Sequence, residues 1–199
     1  AMNFIANLQE SGFTGAKSGV AVLNDALRLD SANTIGEQPG NISTFPKLSV
    51  LGGIRSVGTY TFNESLDLGS VQTSRITTAM SVTAFDADDL ISSRPLLSTW
   101  TSIIGDLIND VDATLLVRTS DDNITFGDFK TLVVGDYKTR AFEFSLRLNS
   151  YYPTHNISVN SLSVIVDMPD RVASGEDIAS GAASKSISYP FTYKVIPAI

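Results

Sequence analysis

Cysteine is absent from the 199 residues, which removes a disulfide scaffold, a thiolate zinc site and a cysteine nucleophile together. Positive charge is scarce and never runs together. Lys and Arg number 14 against 21 Asp and Glu, a formal net charge of −7. A phosphate backbone is tracked by clustered cations, so nucleic acid is not an expected partner. No apolar run approaches the roughly 18 residues that span a bilayer; Leu162 to Val166 is among the longest. The start lacks the basic and apolar stretches of a secretory signal. Ala1 ahead of Met2 reads as the remnant of a cleaved tag, so the chain is expected to be a segment whose natural neighbours are missing. Histidine occurs once, and no GxSxG, HExxH or P-loop pattern is present, so nucleophilic, metal-hydrolytic and nucleotide chemistry lack their usual sequence support. No cofactor is expected.

What is present is period-two hydrophobicity. In Ala141 to Leu148, Phe142, Phe144, Leu146 and Leu148 fall on one face, with Glu143, Ser145 and Arg147 on the other. That is the pattern of a strand with one buried side. Asn156 to Val166 alternates through Ile157 and Val159, then through Leu162, Val164 and Val166. The phase slips at Asn160–Ser161, which predicts a β-bulge. Further strands are predicted at Thr59–Phe62, Glu64–Leu68 with a turn at Gly69, Gln72–Phe85 with Ile76, Met80 and Val82 inward, Ala113–Thr119 and Phe126–Val134. Val20 to Leu29 predicts a strand or hairpin, and Asn3 to Gly19 a loop or short helix. Leu90 to Ile108 fits either a short helix or a covering loop.

Strands separated by turn residues, without a long amphipathic helix, predict an all-β antiparallel sandwich or jelly roll with long loops. Four parts are expected. Residues 1–57 form an N-terminal segment with a long Ser-, Asn- and Pro-rich loop over Asp30–Pro46, and 58–169 form the sandwich. Residues 170–185 have linker composition, and 186–199 begin a following domain.

Candidate sites compete with plainer readings. Trp100, Tyr151 and Tyr152 lie in predicted loops, where a ring can stack on a sugar or fill a partner's pocket. Trp100 also fits a plug over the end of the sandwich, the favoured reading. His155 follows the two tyrosines and joins them as a ligand-binding candidate, although an ordinary loop histidine is the simpler account. Asp86, Asp88 and Asp89 could gather calcium, as could Asp121 and Asp122 with Asn123. Both runs lack the EF-hand spacing, and Asp and Asn are favoured in turns because they cap their own backbone. Asp86 or Asp122 as a catalytic carboxylate of a polymer hydrolase is the weakest reading, since no spacing singles out an acid pair.

A set of phrases occurs in order along the chain. Thr59-Tyr60-Thr61-Phe62 is followed by Leu66-Asp67-Leu68-Gly69, Thr73-Ser74-Arg75 and Ser120-Asp121-Asp122. Val134-Gly135-Asp136-Tyr137 and Thr139-Arg140-Ala141-Phe142-Glu143-Phe144 come next. Ser161-Leu162-Ser163-Val164, Val166-Asp167-Met168-Pro169-Asp170-Arg171, Gly175-Glu176-Asp177-Ile178, Phe191 and Pro197-Ala198-Ile199 complete the set. In this order the chain resembles the C-terminal half of phage tail-tip host-specificity proteins, the lambda-like central fibre family. The resemblance implies a virion or prophage-encoded tail component in host attachment, assembled as a homotrimer with other tail proteins. It also implies that Phe191 to Ile199 opens the next fibre domain. It carries no active site and no receptor-binding residue onto this chain, and residues 30–57 and 90–112 follow the family pattern only loosely. The strands from Phe126 to Leu148 and Ile157 to Val166 are also similar to jelly rolls of galactose-binding-like modules, an analogy of fold alone. It leaves a module binding a host-surface glycan or receptor as the alternative.

Overall fold

The computed structural model describes residues 4–32, 37, 53–87 and 108–168. Ten strands account for most of them, and no α-helix occurs among the described residues. They are β1 (Phe4–Gln9), β2 (Ala16–Ser18), β3 (Val20–Leu23), β4 (Ala26–Leu29) and β5 (Val57–Thr61). β6 (Leu66–Asp86), β7 (Val111–Ser120), β8 (Lys130–Thr131), β9 (Gly135–Ser150) and β10 (His155–Met168) follow. Every strand pairing is antiparallel, and the sheet curls into a nearly closed, barrel-like wrap. The all-β expectation holds. Strands from residues 4–29 and from residues 57–168 share this one hydrogen-bonded sheet.

Two long strands organise the wrap. One edge of β9 pairs with β7, from Ala141↔Ser120 to Ser150↔Val111. The other edge takes β5 along Ser145 to Asn149 and then the first half of β6, down to Ile76↔Gly135. The second half of β6 pairs instead with β10, from Arg75↔Asp167 to Asp86↔His155. β6 therefore carries the sheet from one wall to the other. β10 is flanked on its far edge by β1 and by β4, which continues to β3. Although β9 and β10 are consecutive, they belong to facing walls, joined by the arch Tyr151–Thr154.

The core lies between these walls. Phe142, Phe144, Leu146 and Leu148 of β9 are fully buried, facing Ile157, Val159, Leu162, Val164 and Val166 of β10. Each such side chain contributes about 1.5–3 kcal/mol by leaving water. The rings of Phe142 and Phe144 stack at 6.0 Å, and Phe62, Tyr60 and Phe13 extend the aromatic row. The register of β10 shifts between Val159 and Ser161, so Asn160 is the bulged residue. That is the place where the hydrophobic phase slips, and the slip keeps both halves of β10 facing the core.

Several local expectations are corrected. Residues 4–9 and 16–18 are strands rather than a loop or helix. Of the strand or hairpin expected over Val20–Leu29 the hairpin forms, as expected, with Asn24 and Asp25 at φ 52° and 60° as its two-residue turn, the left-handed pair that suits the twist of the flanking strands. Gly69 ends no strand. It sits at φ 83° inside β6, where the register with β9 shifts between Asp67 and Gln72. Ile76 is buried, but Met80 and Val82 are 37% and 44% exposed. Their parity is the inward one, yet β9 has parted from β6 by then, and no described strand covers them. Phe126–Val134 is mostly irregular, with only Lys130–Thr131 paired to β7. Phe126 and Phe129 point instead at the guanidinium of Arg118, 5.4 and 4.7 Å from their ring centres.

The turn at the arch

The arch between β9 and β10 brings together three of the four ligand-binding candidates; the fourth, Trp100, lies outside the described residues. Tyr151 is 62% exposed and Tyr152 41% exposed. The ring of Tyr152 lies 4.5 Å from that of His155 at an angle of 37°. The hydroxyl of Ser150 lies 2.8 Å from the carbonyl of Tyr152 and 2.7 Å from that of His155, so one donor closes the turn from inside.

Two other elements end on this turn. The amide of Ala87, just past β6, donates to the carbonyl of Thr154 at 2.8 Å. The amide of Tyr151 donates to the carbonyl of Asp110, just ahead of β7, also at 2.8 Å. The carboxylate of Asp110 reaches to 3.3 Å from Nδ1 of His155. This is ion-pair distance for a protonated imidazole only, and Nδ1 is buried and makes no hydrogen bond. Asp86 stands directly across from His155 in the β6–β10 ladder. The corner thus presents exposed phenol rings beside an imidazole and carboxylates. Such a combination of ring faces with hydrogen-bonding groups is what binding a hydroxylated ligand requires.

Of the calcium candidates, Asp86 closes β6, while Asp88 and Asp89 lie outside the described residues. No group of three or more His, Asp or Glu suited to a metal ion occurs among the described residues. At the second acidic run the structure supports the turn reading. The carboxylate of Asp122 accepts from the amides of Ile124 and Thr125, both at 2.8 Å, and from the Ser120 hydroxyl at 2.7 Å. Chiefly the Thr125 amide, then that of Ile124, hold its carboxyl well below the usual range. A group held so firmly as a carboxylate is poorly suited to donate a proton. Asp67 extends this cluster by a two-pronged ion pair with Arg140, at 2.9 and 2.8 Å.

Asp110 is the site residue that sequence reasoning missed. It sits far from His155 along the chain, next to a stretch with no clear periodicity, and nothing local marks it. A mostly polar cleft of about 220 Å³ lies between the end of β1 and the β5–β6 turn, with Leu8, Glu10 and Glu64 among its walls.

Comparison with protein-family models, curated proteins and solved structures finds no match.

Proposed function

We propose that the chain is a non-catalytic structural module of a phage or prophage tail tip that assembles with copies of itself, as a homotrimer in the intact fibre. The ordered phrases from Thr59 onward motivate the tail reading. The observation that carries the assembly reading is the outer half of β6. From Thr77 to Thr83 both faces of the strand are exposed, and among the described residues only β10 pairs with it there. A strand edge with unpaired amides and carbonyls is a natural seat for another chain. Immunogold labelling of virions with an antibody raised against this chain tests the reading. Label at the tail tip is the expected result, and unlabelled particles from a lysate that contains the protein would overturn it. Light scattering on the intact fibre protein tests the trimer, and a strictly monomeric species at high concentration counts against it.

A second reading, a carbohydrate-binding module at the cell or virion surface, is favoured by the exposed Tyr151 and Tyr152 beside His155. A glycan array probed with the wild type and Tyr152→Ala separates the two. Binding lost in the variant supports the second reading, and no binding by either protein sinks it.

A further inference from the structure

We propose that the cleft between the end of β1 and the β5–β6 turn binds one uncharged sugar ring. The inference is independent of the tail assignment, and its site is separate from the arch. β5 begins opposite Asn149, beside the arch, and ends opposite Ser145, toward the cleft. The amide side chains of Asn7, Gln9 and Asn63 line the cleft together with the carboxylates of Glu10 and Glu64 and the hydroxyl of Ser11. No Lys, Arg or His stands among the described walls. Among the described residues, the side chains of Asn7, Gln9, Ser11, Asn63 and Glu64 make no hydrogen bond to the rest of the chain. The Asp122 turn is the contrast, since two amides and a hydroxyl already occupy its carboxylate. The polar groups of the cleft are left for a ligand.

The walls are anchored from within. The amide of Glu10 donates to the carbonyl of Leu162 at 3.0 Å, and its carboxylate accepts the buried hydroxyl of Tyr60. The same hydroxyl takes the amide of Gly15 at 2.9 Å, and Phe13 buries its ring against Tyr60. On the facing wall the amide of Phe62, next to Asn63, donates to the carbonyl of Phe144 at 3.0 Å. A site formed before its ligand arrives loses little affinity to ordering. Its volume of about 220 Å³ is below the roughly 300–1,000 Å³ of clefts for drug-sized molecules, which suits a single ring. Sugar hydroxyls both donate and accept; carboxylates accept from them, and amides do both. Half-buried Leu8 adds an apolar patch for a C–H face. Two carboxylates without a neighbouring cation repel an acidic sugar, so the ligand carries no negative charge.

The test titrates the full chain with glucose, galactose, mannose and N-acetylglucosamine, and with glucuronate as the anionic control. Side-chain amide signals of Asn7, Gln9 and Asn63 in NMR spectra report directly on the cleft. At least one neutral sugar is expected to shift them saturably, with a dissociation constant of about 1 mM, as for a small ligand held by a few hydrogen bonds. Glucuronate should leave them in place. Asn63→Ala and Glu64→Gln are each expected to weaken binding about 3–10-fold, the effect of one lost hydrogen bond. Both side chains are exposed, so both variants should fold, and an unchanged thermal midpoint verifies it. Four neutral sugars without a saturable shift at these amides overturn the proposal. So does a response that glucuronate matches, or one that both variants retain in full. Shifts confined to Tyr151–His155 also overturn it, while supporting the second reading at the arch.

Discussion

The hydroxyl of Tyr60 donates to the carboxylate of Glu10 and accepts the amide of Gly15 at 2.9 Å, so one buried phenol ties the β1–β2 loop to β5. The loop has little freedom around this anchor. Phe13 takes φ 50° to bury its ring edge-on against Tyr60, at 5.6 Å. Gly15 lies so close to β5 that a Cβ there would stand 2.0 Å from the carbonyl oxygen of Thr61.

Tyr60→Phe keeps the ring but leaves the Gly15 amide and the Glu10 carboxylate without their partner. The expected loss is about 1–3 kcal/mol, the range for orphaning a buried polar group, measured by urea unfolding. Burial, and then the bond to Glu10, push the phenol well above its ordinary value. A group raised in the folded state adds stability below its unfolded value, near 10, and loses it only as pH rises through the folded one. Spectrophotometric titration should show one of the six tyrosines staying neutral until the chain unfolds. Six titrating together in a folded protein would contradict this.

Gly58→Ala tests a second close approach. A Cβ on Gly58 would meet the carbonyl oxygen of Gly19 at 2.5 Å and Cγ1 of Val20 at 2.6 Å. Neither neighbour can swing aside, since one is backbone and the other is buried. A cost of about 1–3 kcal/mol is expected, typical of overpacking, and chemical denaturation reads it directly.

Asn160 is the extra residue of the bulge, so deleting it should leave Val159 and Leu162 both facing the core in an uninterrupted strand. Deleting Ser163 turns Val164 and Val166 outward instead, at about 1.5–3 kcal/mol each. The first deletion is expected to give a folded protein by circular dichroism and a cooperative thermal transition. The second is expected to give neither, since such a loss approaches the whole stability of an ordinary domain.

Asp122 sets the response to acid at the β7–β8 connection. Its depressed carboxyl contributes stability above the unfolded value, near 4, and that contribution is lost as pH falls further. In Asp122→Ala the drop in thermal midpoint between about pH 5 and pH 3 should be smaller than in the wild type. Parallel curves would show that the turn is not under tension from this carboxylate.

What the sequence displays most clearly is what burial enforces. The alternation of Phe142 to Leu148 is legible because every second side chain meets the opposite wall, and the slip at Asn160 because a strand that lost phase would lose its core. β1 hides because its inward residues include the small Ala6 beside Leu8, while the apolar Ile5 on the other face is 56% exposed. Met80 and Val82 mislead for the converse reason. They share the parity of Ile76, but parity cannot tell where a covering strand leaves. The arch was legible residue by residue as aromatics in a loop. Its meeting with Asp110 depends on three distant segments closing on one turn, which no local pattern encodes.

The position of β10 also sets a timetable for synthesis. It is the last described strand to leave the ribosome, yet β1, β4 and the outer half of β6 all pair with it. Until it emerges, the growing chain carries those edges unmatched. Local hairpins such as β3–β4 can close early, but the wrap must wait for pairings as distant as Phe4↔Met168. Contacts of such sequence separation make for slow folding, so this protein is expected to acquire its structure after translation of β10 rather than strand by strand.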